Sequence, residues 1–302
     1  MKRLYMRKYV GVYHKTTIPL ILLFLPAICF SQIPVRKYKA GDTYKYKLTS
    51  EVWRNDRYTG KTVSVSEHRV VDERGILGEE IKWISKISYN GNDSSRLDSI
   101  AQRVTPYSIS LLPNGHVLLP TLTVAEMVGE VTDLNTFFVA IAPASNAHKV
   151  SATNPVVINK EPRQGNFADS IFILYGTDCI EMSQHFITAD KQTTTIRTDF
   201  LPPPTFCLTP LLDTVVKKIY DQPNNFQMIQ KSAGDKVNFF WGVETFTITS
   251  KVDNKTGAII EASMENTLNL QMRYNSTKNL QSYAVQMPIT IKRSLKLELM
   301  KE

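Results

Sequence analysis

The sequence predicts a mainly β protein built on a large twisted antiparallel sheet or incomplete barrel of long strands, with a few covering helices. Three observations predict it. Apolar and polar residues alternate with period two over long stretches. Turn-forming Asn, Asp and Gly clusters punctuate those stretches. Only two segments show helical spacing.

The elements follow in order. From 44 to 52, Tyr44, Tyr46, Leu48 and Val52 share one face, and Lys45, Lys47, Thr49 and Glu51 the other. Asn55-Asp56 and Thr59-Gly60 supply a turn, and 61–71 read as the second strand. After a loop at 72–78, Ile81, Trp83, Ile87 and Tyr89 form a third apolar face against Lys82, Lys86 and Ser88. Asn90-Gly91-Asn92-Asp93 closes this meander. A hairpin over 107–112 and 116–119 is expected around Asn114-Gly115. Helical spacing runs from about 121 to 141, through Val124, Met127, Val128, Leu134, Phe137, Phe138 and Ile141, with Gly129 as a dividing point. A strand at 171–175 and a hairpin of 179–188 with 193–200 follow. The second helix is predicted after Thr209-Pro210, a cap residue followed by proline at the first helical position.

The last third holds the longest strands. Residues 243–252 turn through Asp253-Asn254-Lys255-Thr256-Gly257 into 258–272, where the even positions are almost all apolar. Asn266 is the odd residue of that face. It is expected to satisfy backbone or mark a solvent boundary, with a ligand's polar group as the sharper alternative. The final strand, 285–299, alternates in the same way, and Pro288 predicts an edge or a bulge there. Strands of about fifteen residues run roughly 50 Å if straight, so they must coil or bend. One polar and one apolar face means a sheet solvated on one side.

Composition bounds the function. The chain has 302 residues, a formal charge of +8, 42% hydrophobic residues and three cysteines. These values exclude a collagen-like, disordered or disulfide-dense chain. Residues 1–31 carry Lys2, Arg3, Arg7, Lys8 and Lys15, no acid, and an apolar run over 18–30. That is the pattern of a secretory signal peptide cleaved after Ser31. The places that a lipoprotein signal needs before Cys29 hold Pro26 and Ile28, which argues against a lipid anchor. Removing the five basic residues of the leader brings the balance from +8 to +3. No basic cluster remains for nucleic acid, and Lys217-Lys218 and Lys292-Arg293 read as solvated faces. No further stretch is long and apolar enough to span a membrane. The remainder, 32–302, is expected to be one large β-rich domain or two similar lobes, about 32–145 and 146–302. Gly41-Asp42 and Gly234-Asp235, each opening a meander, are the sign of a duplication. In an oxidising compartment Cys179 and Cys207 form a disulfide or stay as buried thiols.

Chemistry-bearing patterns are scarce. His68, His116, His148 and His185 are not at metal-ligand spacing, and there is no Cys-x-x-Cys, nucleophile elbow or phosphate loop. They read as surface or strand polar residues. Asp169, Asp178 and Glu181 read as solvated acids. No cofactor or metal is expected. The turn Val252-Asp253-Asn254-Lys255-Thr256-Gly257 into Ala258-Ile259-Ile260-Glu261 resembles that of LolA/LppX-type periplasmic proteins. The start Gly41-Asp42-Thr43-Tyr44 is similar to secreted β-rich bacterial proteins of uncharacterised function. The first resemblance implies an incomplete barrel with lipid held between sheet and helices, and neither carries a functional residue over.

The functional expectation is a non-enzymatic, extracytoplasmic protein, periplasmic, surface-bound or secreted. It binds a lipid-like apolar ligand on the concave face of its sheet. Ile260, Met264, Leu268, Met272, Met287, Ile289 and Ile291 are the expected lining, methionine suiting a surface that receives varied apolar groups. The alternatives are an envelope interaction or structural protein with a fully packed core, docking an envelope partner by a sheet edge, and a hydrolase with scattered catalytic residues.

Overall fold

The computed structural model describes residues 31–32, 34–112, 114–142, 149–150, 156–166, 171–200 and 224–300. The elements are β1 (Ser31–Gln32), β2 (Thr43–Arg54), β3 (Arg57–Glu73), β4 (Ile76–Asn90), β5 (Asp93–Arg96), α1 (Asp98–Ala101) and β6 (Tyr107–Ile109). Then come a 3-10 turn (Ala125–Met127), α2 (Val128–Ile141), β7 (Lys149–Val150), β8 (Val156–Asn166), β9 (Ile173–Ala189) and β10 (Thr193–Phe200). The last four are β11 (Phe226–Lys231), β12 (Val237–Asp253), β13 (Ile259–Ser276) and β14 (Val285–Leu299). β1 pairs with β7, and the other twelve strands form one open antiparallel sheet. The large antiparallel sheet is thus the fold that alternation predicts.

The centre of the sheet is β12-β13-β14-β2-β3-β4, two three-stranded meanders joined where β14 pairs with β2. Each meander follows a Gly-Asp turn with glycine at positive φ, Gly41 at 87° and Gly234 at 62°. Two short strands share one position beside β9 and β12. β11 pairs with the first part of both, and β10 with the distal part. The largest core cluster crosses the sheet, joining Tyr46, Leu48 and Trp83 to Ile248, Met264 and Leu297 under α2.

α2 is pinned across this face. Lys86 from β4 bonds Glu130 at 2.6 Å and the carbonyl of Glu126. At the other end, Gln184 of β9 and Thr198 of β10 both donate to the carbonyl of Ala140. That occupies an acceptor which the end of a helix leaves unpaired. Leu134, Phe137 and Phe138 are fully buried below the helix.

Several local expectations change. Lys86 is not on a polar face. The register slips between Val65 and Ser66, where Ile84 is the extra residue on β4. A bulge shifts the alternation, so Lys86 turns to the helix. Residues 116–119 form no strand; β6 pairs with β4 instead. The helical segment breaks before Gly129, not at it. Pro288 lies opposite Gln271, where β14 extends past the end of β2 and has a free side, as its missing donor requires. The helix expected after Thr209-Pro210 lies outside the described residues. No helix among them is long and apolar enough to cross a membrane.

Candidate functional site

Between α2 and the strands β9 to β14 lies a cavity of about 600 Å³. Its walls are mainly apolar. Val128 and Val139 line it from the helix, Met264 and Leu268 from β13, Phe226 and Met228 from β11. Phe200 and Phe246 stack at 4.7 Å on its wall. The expected ligand face is thus partly assembled. Met264, Leu268 and Ile291 line the cavity. Ile289 is buried in a smaller cluster with Phe226, Leu268 and Leu270, and Met272 packs at its side.

Two members of the expected face go elsewhere. Met287 is 38% exposed, on the stretch of β14 that extends past its pairing with β2. Ile260 is displaced by a bulge. Val252 pairs with Ile259 and Lys251 with Glu261, leaving Ile260 as the extra residue. Ile259, not Ile260, is the fully buried one.

A polar row crosses the cavity wall. Phe246, Asn266 and Arg293 are direct cross-strand neighbours on β12, β13 and β14, close enough for their side chains to meet. Arg293 donates through Nε to Asn266 Oδ1 at 2.8 Å and through Nη1 to Asp133 Oδ1 on α2 at 2.6 Å. Asn266 donates through Nδ2 to Glu244 Oε1 at 2.8 Å. Asn225 fixes the backbone of Glu244 by donating to its carbonyl and accepting from its N–H. Asn266 also donates through Nδ2 to the Thr245 carbonyl at 3.3 Å, so it satisfies backbone as expected, though at no bulge, and it does not mark a solvent boundary. It is buried, joining an arginine to a glutamate. Arg293, expected on a solvated face, is 20% exposed beside the cavity.

The row holds two carboxylates and one guanidinium. Burial raises the Asp133 carboxyl to about 6, Arg293 opposing the shift and Glu130 and Glu244 adding to it. Burial also raises Glu244, against Arg293 and the Asn266 hydrogen bond. Both groups thus sit in surroundings where one cation does not compensate two anions.

A second polar cluster differs. Ser66 Oγ lies 3.0 Å from His68 Nε2, and His68 Nδ1 lies 2.9 Å from Glu79 Oε2. Arg36 Nε donates to Glu79 Oε1 at 3.1 Å and Arg36 Nη2 to the Tyr44 hydroxyl at 2.8 Å. The order serine, histidine, carboxylate is that of a nucleophile, base and orienting group. All three are at most 1% exposed, and His68 stacks between Tyr44 and Phe138. None of the three lines the cavity. Burial pushes Glu79 up, but the hydrogen bond and field of His68, with Arg36, hold it below the ordinary range.

His185 finds Asp199, at 3.4 Å, with the same Nε2 that meets Ser183 Oγ at 3.1 Å. One nitrogen facing both partners is not a proton relay. Of the cysteine pair, Cys179 is buried and disulfide-bonded rather than a free thiol, and Cys207 lies outside the described residues, as does Asp169. Among the described residues no group of three or more His, Cys, Asp or Glu is placed to hold a metal.

Sequence reasoning flagged Asn266 but missed Arg293, Glu244 and Asp133. A signal was present. Arg293 falls in the apolar phase of its strand, between Ile291 and Leu295, and Glu244 in that of Phe246 and Ile248. A charge in the apolar phase is a buried charge.

No family model matches the chain, and no curated protein does. Among solved structures, the in-vitro folded trimer form of OmpT, an outer membrane protein of Vibrio cholerae, aligns with 85% of this chain and 99% of its own. The identity is 8% and the TM-score 0.18, a likeness that carries no argument.

Proposed function

We propose that the protein is a non-enzymatic binding protein that takes a lipid-like apolar ligand between its sheet and α2. The observation that carries this reading is the cavity of about 600 Å³. That volume is within the range of small-molecule sites, roughly 300–1,000 Å³. A protein whose core served only to dock a partner has no need of this space, which distinguishes the reading from an envelope interaction protein. Each methylene buried there contributes roughly 0.8 kcal/mol. The basic, then apolar, first 31 residues place the protein outside the cytoplasm in this reading. Function by burial also accounts for a Ser66–His68–Glu79 relay enclosed away from the cavity.

The test is a titration with N-phenyl-1-naphthylamine, an uncharged apolar fluorophore. Saturable enhancement at one probe per chain, reversed by an added long-chain alcohol, is expected. Enhancement that does not saturate, or none at all, contradicts a defined cavity.

A further inference from the structure

Large apolar side chains left exposed gather at one end of the sheet, where β9 begins, β11 turns into β12 and β13 turns into β14. Ile171 is 63% exposed there, Tyr274 42%, Tyr283 41%, Val285 39% and Met287 38%. Across β13 and β14, Tyr274 is the neighbour of Val285, and Met272 of Met287. Hydrogen bonds tie the turns of this end into one rim. The Lys231 N–H donates to the Phe172 carbonyl, Ser232 Oγ to Asn275 Oδ1, and the Asn55 N–H to the Thr290 carbonyl. The rim therefore runs from the start of β9 to the β2–β3 turn. Single exposed apolar residues are ordinary, whereas a connected group of them marks an interaction surface.

The cavity reaches the same rim. Phe172 and Gln230 line it, next in the chain to Ile171 and Lys231. Leu268 and Ile291 belong both to the lining and to the apolar cluster that extends to Met272, the cross-strand neighbour of Met287. Charge says what the rim meets. Asp56 is paired with Lys292, and Asp235 with Lys278. Arg54, Arg57, Lys231 and Lys236 are exposed and have no acidic partner among the described residues. In the described turns of this end, Asp93 is the acid left unpaired. Cations in excess on an apolar and aromatic rim complement an anionic bilayer. The charges meet the phosphate layer, tyrosine sits at the headgroup level, and aliphatic side chains enter beneath it.

We propose that this end of the sheet docks on an anionic phospholipid surface, and that the apolar ligand passes between bilayer and cavity across it. The docking stands on the rim itself, and the passage rests on the proposed binding function. Passage at a docked rim spares the ligand a crossing of water, in which its apolar surface is unfavourable.

The experiment is flotation of the purified protein with phosphatidylglycerol vesicles and, in parallel, with phosphatidylcholine vesicles. Binding to the first and not the second, weakened by added salt, is expected. One basic residue near an anionic surface is worth about a factor of five. Lys231→Gln with Lys236→Gln should therefore weaken binding by about thirtyfold. Met287→Glu, which puts an anion on the rim, should weaken it too. Lys191→Gln, exposed in the β9–β10 turn at the opposite end, should leave it unchanged. Every variant should unfold at the wild-type urea concentration, because each residue is exposed. Equal binding to both vesicle types, or an equal loss from Lys191→Gln, would overturn the docking end. A dimer that Met287→Glu dissolves, with no vesicle binding, would assign the rim to a second copy and overturn the proposal. No vesicle binding with N-phenyl-1-naphthylamine uptake intact would overturn the docking and leave the binding function standing. Vesicle binding without that uptake would leave the docking standing and overturn the passage together with the binding function.

Discussion

Two buried charge clusters lie beneath the same helix, and they are built oppositely. In the Arg36–Glu79–His68 cluster each charge meets a partner. Both oxygens of Glu79 are bonded, and the guanidinium of Arg36 reaches Tyr44 and the carbonyls of Lys37 and Thr256. Stacked aromatic rings fill the rest. In the Asp133–Arg293–Asn266–Glu244 row, two carboxylates share one cation, and open space replaces the aromatic fill. A charge buried for structure is satisfied by its own chain. The row leaves two carboxylates on one cation at the cavity wall, as the proposed binding function would have it. The opposite directions of the Glu79 and Asp133 shifts are the electrostatic expression of that difference.

The largest expected effect breaks the self-satisfied cluster. Glu79→Gln removes the anion between Arg36 and His68 and leaves a buried guanidinium uncompensated. Loss of about 3–5 kcal/mol is expected, read from urea unfolding at pH 7. A loss below 1 kcal/mol would mean that the cluster is not structural. Because the Glu79 pKa is lowered in the folded protein, its stabilisation is present above the ordinary carboxylate range and is lost as pH falls. That acid-side loss should flatten in the variant.

The pH dependence of the second cluster runs the other way. A carboxyl raised to about 6 on folding binds its proton more tightly in the native state. Its contribution is therefore most favourable at low pH and is lost as pH rises through about 6. Asp133→Asn should match the wild type at pH 4 and exceed it at pH 8, by on the order of 2–3 kcal/mol. A variant less stable than wild type at pH 8 would place Asp133 with the structural charges and remove the contrast.

Much of this fold is legible in alternation. The meanders on either side of the β14–β2 joint follow from period two and from turns at Asn90-Gly91 and Asp253–Gly257, because one buried face fixes register residue by residue. What alternation cannot show is where a bulge inverts it. Ile84 sends Lys86 to the helix, and Ile260 yields its place to Ile259. Both slips depend on pairing with a distant strand, which no local pattern carries. The site was half visible for the same reason. Met264, Leu268 and Ile291 were in phase and line the cavity. Met287 was equally in phase, but it is exposed on the end of β14 that runs past β2. Which part of an apolar face is covered depends on helix position, and Lys86, Gln184 and Thr198 set that from three different strands.

The most direct test of a ligand-holding cavity compares native mass spectra of the wild type and Gly129→Phe, each purified from the same bacterial host before and after solvent extraction. Gly129 lines the cavity, and a Cβ added there meets nothing within 4 Å, so a phenylalanine can be attached without a clash at its first carbon and has better helix propensity than glycine. The account predicts an extractable bound mass on the wild type and a bare mass on the variant, with both proteins folded. The same bound mass on both proteins, or none on either, would contradict it.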